Sequence, residues 1–463
     1  MRRLALLFSA LALGACTAGP DYLRPENSAH AKVGRDFKET LPHAVSKEDM
    51  PGKWWHLYED KTLDGLIEEA LRNNTDLRIA AANIKRAEAY KAEIADRAKP
   101  QTELGGGVSY GQLSAEEHLI FGHALPSDFV YSLGGGLSYD LDLAGQIKRA
   151  IEAAKAESEA SRAAYDAVRI GVVAEVSRSY LDVCAAGREL DLAEEMISVQ
   201  DSLKSVNARL TASGRAAENT RQTYNAQLWR IRAALPVLQA RRKQAAYRLA
   251  ALMGSDIPPD VMGCHAVPEL KAPVPVGDGR AFLERRPDVR EAEAGLKAAT
   301  ARIGVAMADL YPHITLGISG GSTGLLKNIG DSDTYKYSIG PLISWEFPQR
   351  GTVEARIRAA EARDEAALAL FDRTVLNALR DAEISLSAYG RDLDQNGDWQ
   401  RAEAAQARLA ADSIALQQRG RQSLTETLLA RRNHLQAEQD VAASKARLAA
   451  DQISLFAVLG GGW

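Results

Sequence analysis

Between Gly145 and Gly214 the chain runs without a proline, and only Gly171 and Gly187 interrupt it as glycines. Apolar or small residues recur three to four apart: Ile151, Ala154, Ser158, Ser161, Tyr165, Val168 and Val172. That period lays one narrow stripe along a helix, as in a coiled-coil seam. At ~1.5 Å per residue, about 68 residues extend roughly 100 Å, more than one globular core can cover. Such a helix must pack sideways against other long helices, because its stability comes from tertiary burial rather than propensity.

The stretch occurs twice. An offset of 206 sets Tyr131 on Tyr337, Tyr139 on Trp345, Gly145 on Gly351, Tyr165 on Phe371 and Gly214 on Gly420. Upstream the offset is 212, which pairs Asp76 with Asp288, Pro100 with Pro312 and Gly105 with Gly317. The six-residue difference falls between the two blocks and is absorbed in a connecting loop. A near-constant offset over about 180 residues marks an internal duplication, not a solenoid with a period of about 20–50.

Of 463 residues, 25% are charged, yet the net charge is only −4, which gives no electrostatic case for a nucleic-acid partner. No internal run is apolar enough for a transmembrane helix in the mature chain. Three widely spaced cysteines make no metal or disulfide framework. The N-terminus reads as an export signal: Arg2-Arg3, an apolar stretch Leu4 to Leu13, then Gly14-Ala15-Cys16. It resembles a bacterial lipoprotein signal, cleaved after residue 15, with lipid on the Cys16 sulfur. Thr17 rather than Asp follows, which favours the outer membrane. Several acyl chains, at ~0.8 kcal/mol per buried CH₂, would anchor firmly.

Residues 16–60, with Pro20, Pro25, Pro42 and Pro51, read as an extended tether. Trp54-Trp55 then precede a short helix from Leu63 to Arg72. The next helix reaches about Ala98, with Asp76 as its expected N-cap. In the second copy Asp288 and Glu291 predict a capping box. The first repeat spans 61–254, a proline-rich linker 255–280 and the second repeat 281–463.

After Pro100 the period becomes two. Leu104, Gly106, Val108 and Tyr110 alternate with Glu103, Gly105, Gly107 and Ser109, and Tyr131 to Leu141 does likewise. The second copy repeats this over Ile314 to Ser319 and Tyr335 to Phe347. Four strands with one apolar and one polar or glycine face match strands that cross a bilayer around an aqueous lumen, with Tyr, Trp and Phe near the ends as an interfacial girdle. The bland reading is two half-buried soluble hairpins. Lipid tolerates no open sheet edge, and four strands are too few where the smallest barrels have about eight. The barrel is therefore shared: eight strands from a dimer or twelve from a trimer. Helices and barrel should be coaxial. Gly214 and Gly420 turn the chain back, and the first return helix, to about Leu252, should kink at Pro236.

The whole mature chain resembles the TolC-type outer-membrane efflux channels, in their lipoprotein branch that works with resistance-nodulation-division pumps. The carrying motifs are Cys16-Thr17-Ala18-Gly19-Pro20-Asp21-Tyr22 and Trp54-Trp55 ahead of Leu66-Ile67-Glu68-Glu69-Ala70-Leu71. Glu284-Arg285-Arg286-Pro287-Asp288-Val289, Ala308-Asp309-Leu310-Tyr311-Pro312 and the ending Leu459-Gly460-Gly461-Gly462-Trp463 complete them. The resemblance implies a mixed α plus β membrane protein. It would be a homotrimer with a twelve-stranded barrel in outer-membrane lipid and a long helical barrel across the periplasm. The turns at Gly214 and Gly420 would form a closed tip that docks on a periplasmic adaptor. The family's second tip often carries Tyr-Arg-x-Gly and, nine residues on, a constricting Asp. Here Gln417-Gln418-Arg419 precede Gly420 and the ninth residue is Leu429; Thr425 stands where a Leu ring is common, and Arg432 keeps the family's Arg. Leu429 would then be a hydrophobic constriction gating by dewetting, with Glu426 a nearby acidic ring. The bland alternative is that these residues only pack the tip.

No enzyme constellation emerges, and neither a cofactor nor a metal is expected. The eight histidines are scattered, and His118 and His123 lack a metal-ligand spacing. Gly105-Gly106-Gly107 and Gly134-Gly135-Gly136 lie in strand patterns, not in phosphate loops. Cys184 reads as a small packing residue within a helix, and Cys264 lies in the linker; a bridge between them is the open alternative, with nothing in the sequence to support it. The expected function is a passive duct fed by an inner-membrane transporter of the resistance-nodulation-division type. A type I protein-secretion channel and a periplasmic coiled-coil scaffold are the alternatives; a scaffold has no need of the four strands.

Overall fold

The computed structural model describes residues 17–461, apart from 35, 40, 42, 43, 113, 115–120, 123, 125, 346, 348 and 349. Cys16, His118 and His123 lie outside the described residues. Two repeats of one element order follow one another. The first has α1 (Lys61–Asn73), α2 (Thr75–Asp96), β1 (Gln101–Gly111), β2 (Asp128–Leu141), α3 (Gln146–Ala212) and α4 (Glu218–Leu252). The second has α5 (Ala281–Arg285), α6 (Pro287–Ala308), β3 (His313–Leu325), β4 (Tyr335–Ser344), α7 (Arg350–Gln418) and α8 (Leu424–Val458). Helices α3 and α7, of 67 and 69 residues, match the proline-free stretches almost to the residue. Among the described residues no helix is long and apolar enough to cross a membrane. The contacts divide the chain into one unit of 1–26, 83–161 and 292–371 and another of 27–82, 162–291 and 372–463.

The first unit holds an antiparallel sheet in the order β1-β2-β3-β4. Opposed residues share a face, so the register sorts every side chain. Leu104 faces Gly135, Leu137 faces Ile318, and Ile318 faces Ile339, which puts most of the apolar positions on one side, with Val130, Leu325 and Leu342 as exceptions. The other side carries Glu103, Gly105, Ser132, Gly136, Ser319 and Ser338. An added Cβ at Gly321 would lie 2.5 Å from the Leu133 carbonyl oxygen, so β2 and β3 meet here on glycine. Residues 17–24 dock on this unit's helices. Arg149 donates to the Ala18 carbonyl at 3.0 Å and pairs with Asp21 at 2.8 Å, while Arg24 and Tyr22 hold Glu293 at 2.8 and 3.1 Å.

The second unit is helical around buried Trp54, Trp55, Ile67, Phe282 and Phe456. Trp54 stacks on Phe456 with ring centroids 4.7 Å apart. Residues Val45–Ser46 pair in parallel with Val274–Pro275 of the linker. Helix α1 begins earlier than the apolar period suggests, because Asp60 caps it through the Thr62 and Leu63 amides. Two cap expectations are corrected. Asn74, not Asp76, caps α2: its Oδ1 accepts from the Asp76 and Leu77 amides, and its Nδ2 donates to the Leu252 carbonyl. In the second copy Pro287 takes the first helical position, so Asp288 lies inside α6 and accepts both arms of the Arg286 guanidinium instead of forming a capping box. Helix α4 runs through Pro236 without interruption.

Candidate functional site

Two regions carry the features that bear on function, the sheet and the helix-turn-helix ends. On the sheet's apolar side Leu104 is 90% exposed, Tyr337 89% and Ile339 75% within the chain. An apolar patch of this extent needs a non-aqueous neighbour. Aromatic pairs mark both ends of the strands. Tyr110 and Phe129, 5.1 Å apart, lie at the loop end; Trp345 and Phe347, 5.0 Å apart, follow β4 at the helix end. Trp345 Nε1 donates to the Leu310 carbonyl at 3.2 Å. Along β2, Phe129 and Tyr139 are ten residues apart. At ~3.3 Å per residue and a tilt of about 40°, that spans roughly 25 Å, the height of a barrel's apolar band. Among the described residues, strands β1 and β4 each pair on one side only.

The helix-turn-helix ends are built by glycine. Gly214 (φ +70°) and Gly420 (φ +69°) adopt the left-handed conformation after α3 and α7. The Arg215 amide reaches back to the Leu210 carbonyl at 2.8 Å, and Arg421 to Leu416 at 2.9 Å. This pattern satisfies the last helical carbonyls and stops both helices at equivalent places. The two ends restart differently. Helix α4 begins after Ala217 with no side-chain cap, whereas Ser423 and Glu426 form a full capping box at α8. The serine hydroxyl and amide bonded to the Glu426 carboxylate hold its pKa below the usual range, so it is an anion committed to its own helix start.

Thr425 is half-buried in the first turn of α8. Leu429, also half-buried, packs with Leu428 against a cluster of Leu192, Met196, Val199, Leu203, Tyr224 and Leu435. Arg432 Nη1 donates to Gln227 Oε1 at 3.3 Å, and buried Gln200 donates to the same oxygen at 3.2 Å and to the Tyr224 carbonyl at 3.0 Å. Leu429 and Arg432 thus both bind α8 to the first hairpin, while Thr425 and Glu426 sit at the helix start. The glutamines were not legible as partners, since helix–helix pairing across repeats leaves no local signal.

Nor was the disulfide. Cys184, expected to fill space, is bonded to Cys264, 80 positions further along the chain, with Cα atoms 4.7 Å apart. The linker is clamped further by Arg242, which donates to the Cys264 carbonyl at 2.9 Å, and by His265 on Asp191 at 2.7 Å.

Comparison with known proteins agrees with this construction. The family described as "Outer membrane efflux protein" matches residues 66–255 and 280–461, one block per repeat. The chain is 30% identical to the cation efflux system protein CusC of Escherichia coli O157:H7, over 98% of this chain and 97% of that protein. It is 28% identical to the pyoverdine export outer membrane protein OpmQ of Pseudomonas putida, over 91% of each. The solved outer-membrane channel OprN superposes with a TM-score of 0.86 at 30% identity, covering 97% of this chain and all of that one. With both repeats matched in their own blocks and the full length shared, the chain belongs to the outer membrane efflux protein family.

Proposed function

We propose that three copies of this chain close their sheets into one outer-membrane barrel and serve as the exit duct of a tripartite efflux pump for drugs or other small toxic compounds. One observation carries the reading: a four-stranded sheet, apolar on one face and mostly polar or glycine on the other, with both edges unpaired among the described residues. Lipid does not accept open edges, and barrels start at about eight strands, so closure requires further copies. Threefold closure gives twelve strands. A transporter of the resistance-nodulation-division type in the inner membrane supplies energy, and a periplasmic adaptor engages the turns at Gly214 and Gly420. Cation efflux and pyoverdine export, named for relatives, favour small cargo over secreted protein.

Lipid on Cys16 fits the same picture. The next residues are pinned at the β2–α3 junction: the Ala18 amide donates to the Ala144 carbonyl at 2.8 Å and Lys148 to the Thr17 hydroxyl at 3.1 Å. Tyr139 lies near that end of β2, so Thr17 and Ala18 sit at the end of the strand that carries an aromatic residue.

Imaging of the detergent-extracted particle tests the duct. A threefold object with a barrel cap and a hollow helical stalk is expected; a monomeric or dimeric rod without a barrel overturns it. The constriction is assigned to the first three turns of α8, where Thr425, Glu426, Leu429 and Arg432 lie, with Leu429 as the hydrophobic ring. Leu429→Asp and Leu429→Ser should raise basal conductance in planar bilayers. Unchanged conductance would return Leu429 to packing, the role its cluster with Leu192 and Leu435 equally supports.

A further inference from the structure

His434 is one of eight histidines scattered along the sequence, but the fold gives it company. Helices α7 and α8 are joined through the turn at Gly420, so residues at similar distances from that turn come together. Glu403 on α7 therefore meets His434 and Glu438 on α8, which are one helical turn apart and share a face. His434 Nε2 lies 2.8 Å from Glu403 Oε1 and 3.5 Å from Glu438 Oε1. One ligand atom from each of the three falls within 4.8 Å of the others, and all three side chains are half-buried. A tetrahedral site with bonds of about 2.0–2.1 Å has ligand atoms roughly 3.3 Å apart, so side-chain rotation alone completes such a shell.

Three further features distinguish this group from a chance ion pair. First, Glu438 is held from outside: Arg188 Nη2 lies 2.8 Å from its Oε2, which leaves Oε1 turned toward His434. An outer-shell partner of this kind fixes a ligating carboxylate. Second, a cavity of about 420 Å³ opens beside Glu403 and Glu438, with His265, Glu269 and Lys445 on its other walls, and offers room for a coordinated water. Third, the group is absent from the equivalent positions of the first copy. At the 206-residue offset the first copy has Ile197, Leu228 and Arg232, so the duplicated architecture itself does not call for it.

We infer that Glu403, His434 and Glu438 form a binding site for a divalent transition-metal ion of the zinc class, which bridges α7 and α8. One imidazole nitrogen and two carboxylate oxygens neutralise such an ion and suit zinc, with its open fourth position taken by water from the cavity. Arg188 stays outside the coordination shell on the second oxygen of Glu438. The bound ion ties the two helices of the second hairpin together between the Gly420 turn and the Trp54–Phe456 core.

The test is calorimetric titration of Zn²⁺ alone into the full-length, detergent-extracted protein after chelator treatment, with Co²⁺ absorption to report coordination geometry. One ion per chain and a tetrahedral Co²⁺ spectrum are expected. His434→Ala and Glu403→Gln should each weaken binding at least about tenfold, while His56→Ala, a histidine paired with Asp64 elsewhere, should leave it unchanged. Glu403→Gln keeps the side-chain shape, and size-exclusion chromatography confirms an intact assembly. Absence of binding by the wild type, or binding that survives both substitutions, overturns the site.

Discussion

Asp451 on α8 faces Asp392 on α7, and replacing it by Asn should stabilise the protein only when the pH is high. Burial, then a hydrogen bond with Asp392 and that residue's charge, push the Asp451 carboxyl up to about 6, while Arg447 opposes the shift. The direction sets the sign. The folded pKa is raised above the unfolded one, so the contact contributes fully below about pH 4 and is lost as pH rises through about 6. A shift of about two units at about 1.4 kcal/mol each sets a ceiling of roughly 3 kcal/mol. Asp451 is half-buried, and residual solvent screening reduces this to about 1 kcal/mol. Asn keeps the shape and the hydrogen bond but cannot ionise. At about pH 7.5 the variant should therefore slow local opening of the Asp392–Asp451 contact by about fivefold, and near pH 4.5 it should match the wild type. Hydrogen exchange followed by mass spectrometry, on peptides covering residues 388–396 and 447–455, compares the two chains at each pH. Equal protection at both values, or the same difference at both, would refute a shared proton between the two carboxyls.

Two substitutions probe the turn and the linker. Ser423→Ala removes the cap of α8, at a cost of about 1 kcal/mol. Amides of Thr425 to Thr427 should then exchange about fivefold faster, and unaltered exchange would mean that the capping box contributes nothing there. Gly187→Ala would ordinarily strengthen a helix by about 0.5–1 kcal/mol. Here the new Cβ would run into the Cys264 carbonyl and lie 3.0 Å from the Arg242 guanidinium. The variant should therefore lower the unfolding temperature and leave reactive thiols at Cys184 and Cys264. A more stable variant with no titratable thiol would show that the linker does not press on α3.

What the sequence disclosed follows the range of the physics. Strand faces were legible because alternation is local and an antiparallel register preserves it; Leu104, Leu137, Ile318 and Ile339 share a side in any in-register sheet. Helix ends at Gly214 and Gly420 were legible because a left-handed residue is a local requirement. Caps were less so. Asp76 and Asp288 are good capping residues, but Asn74 and Pro287 one or two positions earlier claimed the helix starts. The Cys184–Cys264 bond, the Arg432–Gln227–Gln200 chain and the Glu403–His434–Glu438 group join distant segments, and no periodicity encodes them. A faint signal existed for the disulfide: Gly187, one turn after Cys184, lets the linker backbone approach α3.

The duplication offers a sharper instrument than either repeat alone. Asn74 and Arg286 occupy equivalent positions at the 212-residue offset, and each donates to the last carbonyl of the returning helix, Leu252 at 2.9 Å and Val458 at 2.6 Å. Two different side chains perform one structural task, so that task belongs to the fold. Where equivalents share no task, the fold makes no such demand. Ala217 leaves uncapped what Ser423 caps; Ile197, Leu228 and Arg232 stand where Glu403, His434 and Glu438 meet; Gly390 stands in place of Cys184. The two kinds of hairpin that ring a threefold channel must therefore differ in rigidity. The second is stiffened at its own turn by the capping box, and the first is tied through Cys184 to the linker. Under the proposed assembly, a partner docking on these turns would meet two kinds of surface, and opening should begin at the uncapped Ala217 end.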